Sequence, residues 1–106
     1  MNYDKFIIYK IYQLDSPELF YIGSTKNFSS RKSNHKKYCN NKCSKKYKYP
    51  LYQYIRACGG WDKFVIEEYL KYPCNSKGEG LKKEQEIIDL LKPKLNSINA
   101  MGNKKT

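Results

Sequence analysis

The fold turns on Lys5-Phe6-Ile7-Ile8-Tyr9-Lys10-Ile11-Tyr12, followed by the turn residues Asp15-Ser16-Pro17-Glu18 and then by Leu19-Phe20-Tyr21-Ile22-Gly23-Ser24. Two runs rich in β-branched and aromatic residues, separated by a turn, predict two strands paired as an antiparallel hairpin. After them Asn27 or Ser29 can cap a helix running to about Tyr38. Residues 39–49 are polar, basic and without periodicity, which predicts a mobile loop. Pro50 suits the first turn of a second helix. Leu51, Tyr54, Ile55 and Cys58 then share one face, and Gly59-Gly60 stops the helix. Residues 64–70 read as a third strand, 73–80 as a loop, and 81–92 as a last helix ended by Pro93. The order β-β-α-α-β-α predicts a small α/β (α+β) sandwich, a three-stranded antiparallel or mixed sheet flanked by helices. With 106 residues, neither repeat nor linker is evident and one domain is expected, over residues 1–100, with residues 101–106 a disordered tail.

The charge is concentrated in the middle of the chain. The net charge is +11, and residues 31–60 hold Arg31, Lys32, Lys36, Lys37, Lys42, Lys45, Lys46, Lys48 and Arg56 without a single acid. Tyr38, Tyr47, Tyr49, Tyr52 and Tyr54 are interleaved with them. Clustered cations neutralise successive phosphates, and tyrosine rings stack on bases, so nucleic acid is the partner expected first. Lys26, Lys36, Lys42, Lys45, Lys46, Lys48 and Arg56 are the candidate contacts. A solvated basic loop or an anionic membrane surface is the alternative on charge alone. The sequence shows no signal-peptide pattern and no apolar run near the ~20 residues a bilayer span needs. A soluble, intracellular protein, cytoplasmic or nuclear, with no membrane partner is therefore expected. Cys39, Cys43, Cys58 and Cys74 fit no zinc-finger spacing and are expected to be free thiols. His35, Cys39 and Cys43, four residues apart, would share a helical face, and a metal site there is a second possibility unless Asn40-Asn41 ends the helix first.

The last helix carries an acid in an unexpected place. At helical spacing Leu81, Ile88, Leu91 and Leu95 form an apolar stripe, and Glu84 falls near its middle, whereas Glu86 and Asp89 face solvent. A carboxylate on an apolar face must be paired, protonated or metal-bound. One reading is a salt bridge to a lysine. The other, in a phosphate-binding chain, is a hard oxygen ligand for Mg²⁺ or Mn²⁺. A single such acid favours one ion over two. Arg31 and His35 share a helix face, joining a fork that fits a phosphate to a group that titrates near neutral pH. Tyr9 and Tyr21 stand on the two hairpin strands. They are either packing residues or phenols that work through a bound water.

Together these residues resemble the GIY-YIG nuclease family. Its first signature is Ile7-Ile8-Tyr9 here and its second is Tyr21-Ile22-Gly23-Ser24, with Arg31 and His35 following at the family's spacing. The stretch from Glu84 to Asn96 is similar to the family's glutamate helix and the asparagine beyond it. The likeness runs from about Phe6 to Asn99. It implies a GIY-YIG-type nuclease domain over residues 1–100, a DNA endonuclease that hydrolyses a phosphodiester with one Mg²⁺ or Mn²⁺ ion. Glu84 would hold the metal, and Tyr9 or Tyr21 would position or deprotonate the attacking water. Arg31 would steady the phosphate oxygens, His35 would hydrogen-bond the tyrosine or the phosphate, and Asn96 would support the site. The chain departs at position 7, where the family's first glycine is Ile7. That leaves a catalytically weak nucleic-acid-binding module as the alternative. Tyr49-Pro50-Leu51-Tyr52 and Gly59-Gly60-Trp61-Asp62 are similar to stand-alone, homing-endonuclease-like members from large DNA viruses. No second DNA-binding module is recognisable, so low specificity, a partner or dimerisation is expected.

Overall fold

A computed structural model describes residues 3–96. It contains β1 (Ile7–Gln13), β2 (Ser16–Thr25), α1 (Phe28–Asn40), α2 (Pro50–Ala57), β3 (Phe64–Lys71) and α3 (Lys77–Leu91), with single 3₁₀ turns at Trp61–Lys63 and Lys94–Asn96. The predicted element order holds. The sheet order is β2-β1-β3 and both pairings are antiparallel, which settles the sheet as antiparallel rather than mixed. The tail expected from residue 101 lies outside the described residues. No described helix is long and apolar enough to cross a membrane.

β1 is the middle strand, and alternation divides its side chains between two apolar clusters. Ile7, Tyr9 and Ile11 face α1 and α2, where Cys39, Leu51, Tyr52 and Ile55 close the larger cluster together with Phe64 and Leu95. Phe6 and Ile8 face α3, joining Ile22 and Ile87. Ile8, Ile11, Ile22 and Ile55 have no exposed surface, and each such side chain contributes about 1.5–3 kcal/mol. Ile7, in the family's glycine position, is simply a core residue, 5% exposed and paired with Thr25 and Lys71.

A bulge in β3 sits beside Tyr9. Ile8 pairs with Leu70 but Tyr9 pairs with Glu68, leaving Tyr69 as the extra residue. A one-residue insertion reverses the faces beyond it. Ile66 accordingly packs in the Tyr9 cluster and Leu70 in the Ile8 cluster.

Several boundaries differ from expectation. β2 begins at Ser16, because Leu14-Asp15 alone make the turn. α1 continues to Asn40, two residues beyond Tyr38, and starts from the Asn27 side chain, which accepts from Ser30 N at 3.0 Å. The 41–49 segment is not featureless. It is a series of turns closed by Ser44 N to Asn41 O, Tyr47 N to Ser44 O and Tyr49 N to Lys46 O. α2 buries Leu51, Tyr52 and Ile55, with Tyr54 and Cys58 only partly covered; Gly59 (φ 112°) and Gly60 (φ 101°) then stop the helix as expected.

The largest difference is α3, which begins at Lys77 rather than at residue 81. Ser76 caps it, accepting from Glu79 N. The Glu79 carboxylate reaches back to Asn75 N. Gly80 is needed there, since a β-carbon would collide with the Phe6 ring. The inward stripe is consequently Gly80, Ile87, Ile88 and Leu91, which keeps Ile88 and Leu91 of the expected one and replaces Leu81 and Leu95. Leu81 is exposed, and Leu95 lies past the helix in the opposite cluster. Glu84, half-buried, still falls within that stripe at helical spacing, while Glu86 and Asp89 are exposed as expected.

Candidate active site

Tyr9 is 1% exposed and its ring lies across the neighbouring strand at Gly23, its partner in the β1–β2 ladder. A β-carbon on Gly23 would come 2.5 Å from the Tyr9 hydroxyl. Only a residue without a side chain leaves room for that phenol. The Tyr9 hydroxyl lies 2.7 Å from His35 Nε2, and His35 Nδ1 lies 2.7 Å from the hydroxyl of Tyr52 on α2. Both ring nitrogens of His35 are thus engaged by phenols, and the Trp61 ring stacks on its face at 15°. Burial, with Arg31 and Lys46 adding positive charge, lowers the His35 pKa to about 4. The imidazole is neutral at pH 7, with one nitrogen a donor and the other an acceptor. Burial holds the Tyr9 and Tyr52 phenols above their ordinary range, with the Arg31 guanidinium opposing it.

The other half of the site wraps around the edge strand β2. Tyr21 and Gly23 face α1 and α2, whereas Ile22 and Ser24 face α3. The Ser24 hydroxyl donates to Glu84 Oε1 in a short hydrogen bond. Tyr21 feels both sides. Burial raises its pKa most, the Glu84 charge raises it further, and Arg31 lowers it. The phenol is thus under the influence of an anion on α3 and a cation on α1. Asn96 fixes the same edge. Its Oδ1 accepts from Ile22 N at 2.7 Å and its Nδ2 donates to Ile22 O at 2.9 Å, giving the outer side of β2 the backbone partners an edge strand lacks.

Among the described residues no cation lies within ion-pair distance of Glu84, so the lysine salt bridge does not explain it. No group of three or more His, Cys, Asp and Glu side chains lies together there either. His35 and Cys39 are buried and Cys43 exposed, and the His35 nitrogens already have their phenols, so these three residues do not form a metal site. A half-buried carboxylate with a hydroxyl partner and no cationic one fits an ion that keeps most of its waters and takes one or two protein oxygens, as Mg²⁺ does.

Arg31, His35 and Tyr21 open into a cleft of about 310 Å³ that Tyr38, Lys46, Tyr49 and Tyr52 also line. Among the expected contacts, Lys46 is at the cleft, and its ammonium lies 5.0 Å and 5.8 Å from the ring centres of Tyr38 and Tyr49. Lys26 lies by a second groove with Arg31. Lys36, Lys42, Lys45 and Lys48 are exposed. Arg56 has another task. Its guanidinium donates to Cys39 O and Tyr47 O and lies 3.6 Å over the Tyr47 ring, holding the 41–49 turns to α1 and α2.

Sequence reasoning brought together Tyr9, Tyr21, Arg31, His35 and Glu84 but missed two residues that touch them. Ser24 stands in the quoted second signature, and the strand period places it opposite Tyr21, a signal that was available. Tyr52 gave only its place among the basic-region tyrosines, because a contact across 17 residues leaves no local trace.

A family model of the GIY-YIG catalytic domain matches residues 5–99. Comparisons with curated proteins and with solved structures give no match. The matched span contains every described element and each side chain of the site above, and members of the family are nucleases acting on nucleic acid. This chain therefore belongs to the GIY-YIG family of nuclease domains.

Proposed function

We propose that the protein is a DNA endonuclease that hydrolyses a phosphodiester bond with the help of one Mg²⁺ or Mn²⁺ ion. The observation that carries this reading is the Glu84 carboxylate, half-buried on α3, hydrogen-bonded by Ser24 of the second signature and without a cation at ion-pair distance among the described residues. Glu84 would hold the ion, with Ser24 orienting its carboxylate. Such an ion polarises the phosphate and acidifies a bound water. Arg31, exposed at the cleft, offers a planar fork to the non-bridging oxygens as negative charge builds on them.

The two phenols have different surroundings. Tyr21, whose phenol senses the Glu84 charge, would orient the attacking water by a hydrogen bond. Tyr9 has an outlet for its proton. With His35 protonated at Nδ1 and donating to Tyr52, the Tyr9 hydroxyl donates to Nε2. As the water's oxygen attacks phosphorus, its proton passes to the Tyr9 oxygen while the Tyr9 proton moves to Nε2. The imidazolium so formed is disfavoured in this site, so its proton would pass on to water in the cleft that His35 lines, and water would protonate the departing oxygen on the far side of the phosphate. Supercoiled plasmid incubated with Mg²⁺ or Mn²⁺ tests the reading. Wild type is expected to nick it and Glu84→Ala is not, and equal cutting by the two contradicts it.

A further inference from the structure

The reaction uses Tyr52 only as the hydrogen-bond partner of His35 and leaves the rest of the far wall of the cleft unexplained. Beyond Tyr21, Arg31 and His35 it is built from Tyr38, Tyr49 and Tyr52. Tyr49 stacks on Tyr52 at 7° with ring centres 6.1 Å apart, and Tyr38 meets Tyr52 at 57° and 6.2 Å. Tyr49 is 49% exposed, so part of its ring is accessible from the cleft. Lys46 arches over Tyr38 and Tyr49, bringing a positive charge to the mouth. The half-buried Asn34 side chain projects from α1 between Arg31 and His35, and its amide has no hydrogen-bond partner among the described residues.

Aromatic faces in a cationic cleft suit a flat ring attached to a phosphate, and an unpartnered amide presents a donor and an acceptor to the edge of such a ring. A base inside duplex DNA is stacked on both faces and cannot enter. We infer that this cleft is a subsite for one unpaired nucleobase adjoining the scissile phosphate, formed by Tyr38, Tyr49 and Tyr52 with Asn34 at its edge. The substrate class is then DNA with a bulged or otherwise unstacked nucleotide at the cut. The inference deepens the nuclease reading and rests on it.

The test uses two fluorescein-labelled duplexes differing by one bulged adenine, and measures anisotropy in EDTA so that binding is separated from cutting. Wild type is expected to bind the bulged duplex about ten-fold more tightly. Tyr49→Ala should bring the ratio of the two affinities close to one. Tyr49→Phe, which keeps the ring, should preserve it, and this rescue excludes a mere folding defect. Asn34→Ala should reduce the ratio for bulged adenine. Equal binding of both duplexes by wild type, or an unchanged ratio in Tyr49→Ala, overturns the inference. If wild type binds both duplexes equally yet nicks plasmid with Mg²⁺, the base subsite alone is wrong. If it binds neither and nicks nothing, the nuclease reading fails with it.

Discussion

The hydroxyl of Tyr9 occupies the space that a side chain at Gly23 would need. The two residues are direct cross-strand partners, so the glycine of one signature exists for the tyrosine of the other. Gly23→Ala must push the phenol away from His35 Nε2 or spread the hairpin. It should cost about 1–3 kcal/mol of stability, as overpacking does, and reduce nicking at least about ten-fold. Thermal unfolding and nicking rates check both. Full activity in the alanine variant would mean the Tyr9–His35 contact is dispensable.

Asn96 is predicted to act through β2 rather than on the substrate. Asn96→Ala leaves the Ile22 N–H and C=O without partners, at about 1–3 kcal/mol each. Asn96→Asp keeps an acceptor for Ile22 N but loses the donor to Ile22 O. The Asp carboxylate then faces the Ile22 carbonyl, acceptor against acceptor, so urea unfolding should place both variants below wild type. Unchanged stability in both variants would refute the clamp.

His35 sets a pH dependence whose sign follows from its lowered pKa. Unfolded, the group takes a proton near pH 6.5; folded, it does so only near pH 4. Between these values the unfolded chain binds the extra proton. The His35 contribution is complete above about pH 6.5 and is lost as the pH falls towards about 4, by an amount on the order of 3 kcal/mol. Urea midpoints at about pH 7 and about pH 4 should differ more for wild type than for His35→Gln. Parallel behaviour of the two proteins would contradict the buried neutral imidazole.

Basic residues of the middle segment should separate into two kinds. Changing Lys42, Lys45, Lys46 and Lys48 together to Ala should weaken DNA binding and flatten its salt dependence while leaving stability nearly intact, since all four are exposed. Arg56→Ala should instead destabilise the fold by freeing the 41–49 turns. A steeper stability loss in the lysine variant than in Arg56→Ala would reverse that division.

The hairpin, the Pro50 start and the Gly59-Gly60 stop are legible because each rests on local chemistry, and the helix cap is legible to within the pair Asn27 and Ser29. The start of α3 was not. Lys77-Gly78-Glu79-Gly80 reads as a loop on its glycines, although Ser76 and Glu79 have the spacing of a capping box. That error also distorted the apolar stripe, drawing in Leu81 and Leu95 and omitting Ile87. Glu84 is read correctly all the same, because Ile88 and Leu91 belong to both stripes and fix its angular position. Tyr52 and the true task of Arg56 were invisible, since both depend on how the 41–57 segment folds back on α1.

The central claim is that the Glu84 carboxylate serves the reaction and not the fold. Glu84→Gln retains an oxygen to accept from Ser24 but not the charge. The most direct measurement is the Glu84→Gln variant assayed for both DNA affinity and Mg²⁺- or Mn²⁺-dependent nicking. Affinity within about two-fold of wild type with nicking reduced at least about a hundred-fold is the predicted result. Retained nicking, or a loss of affinity and thermal stability in step with the loss of nicking, would contradict it.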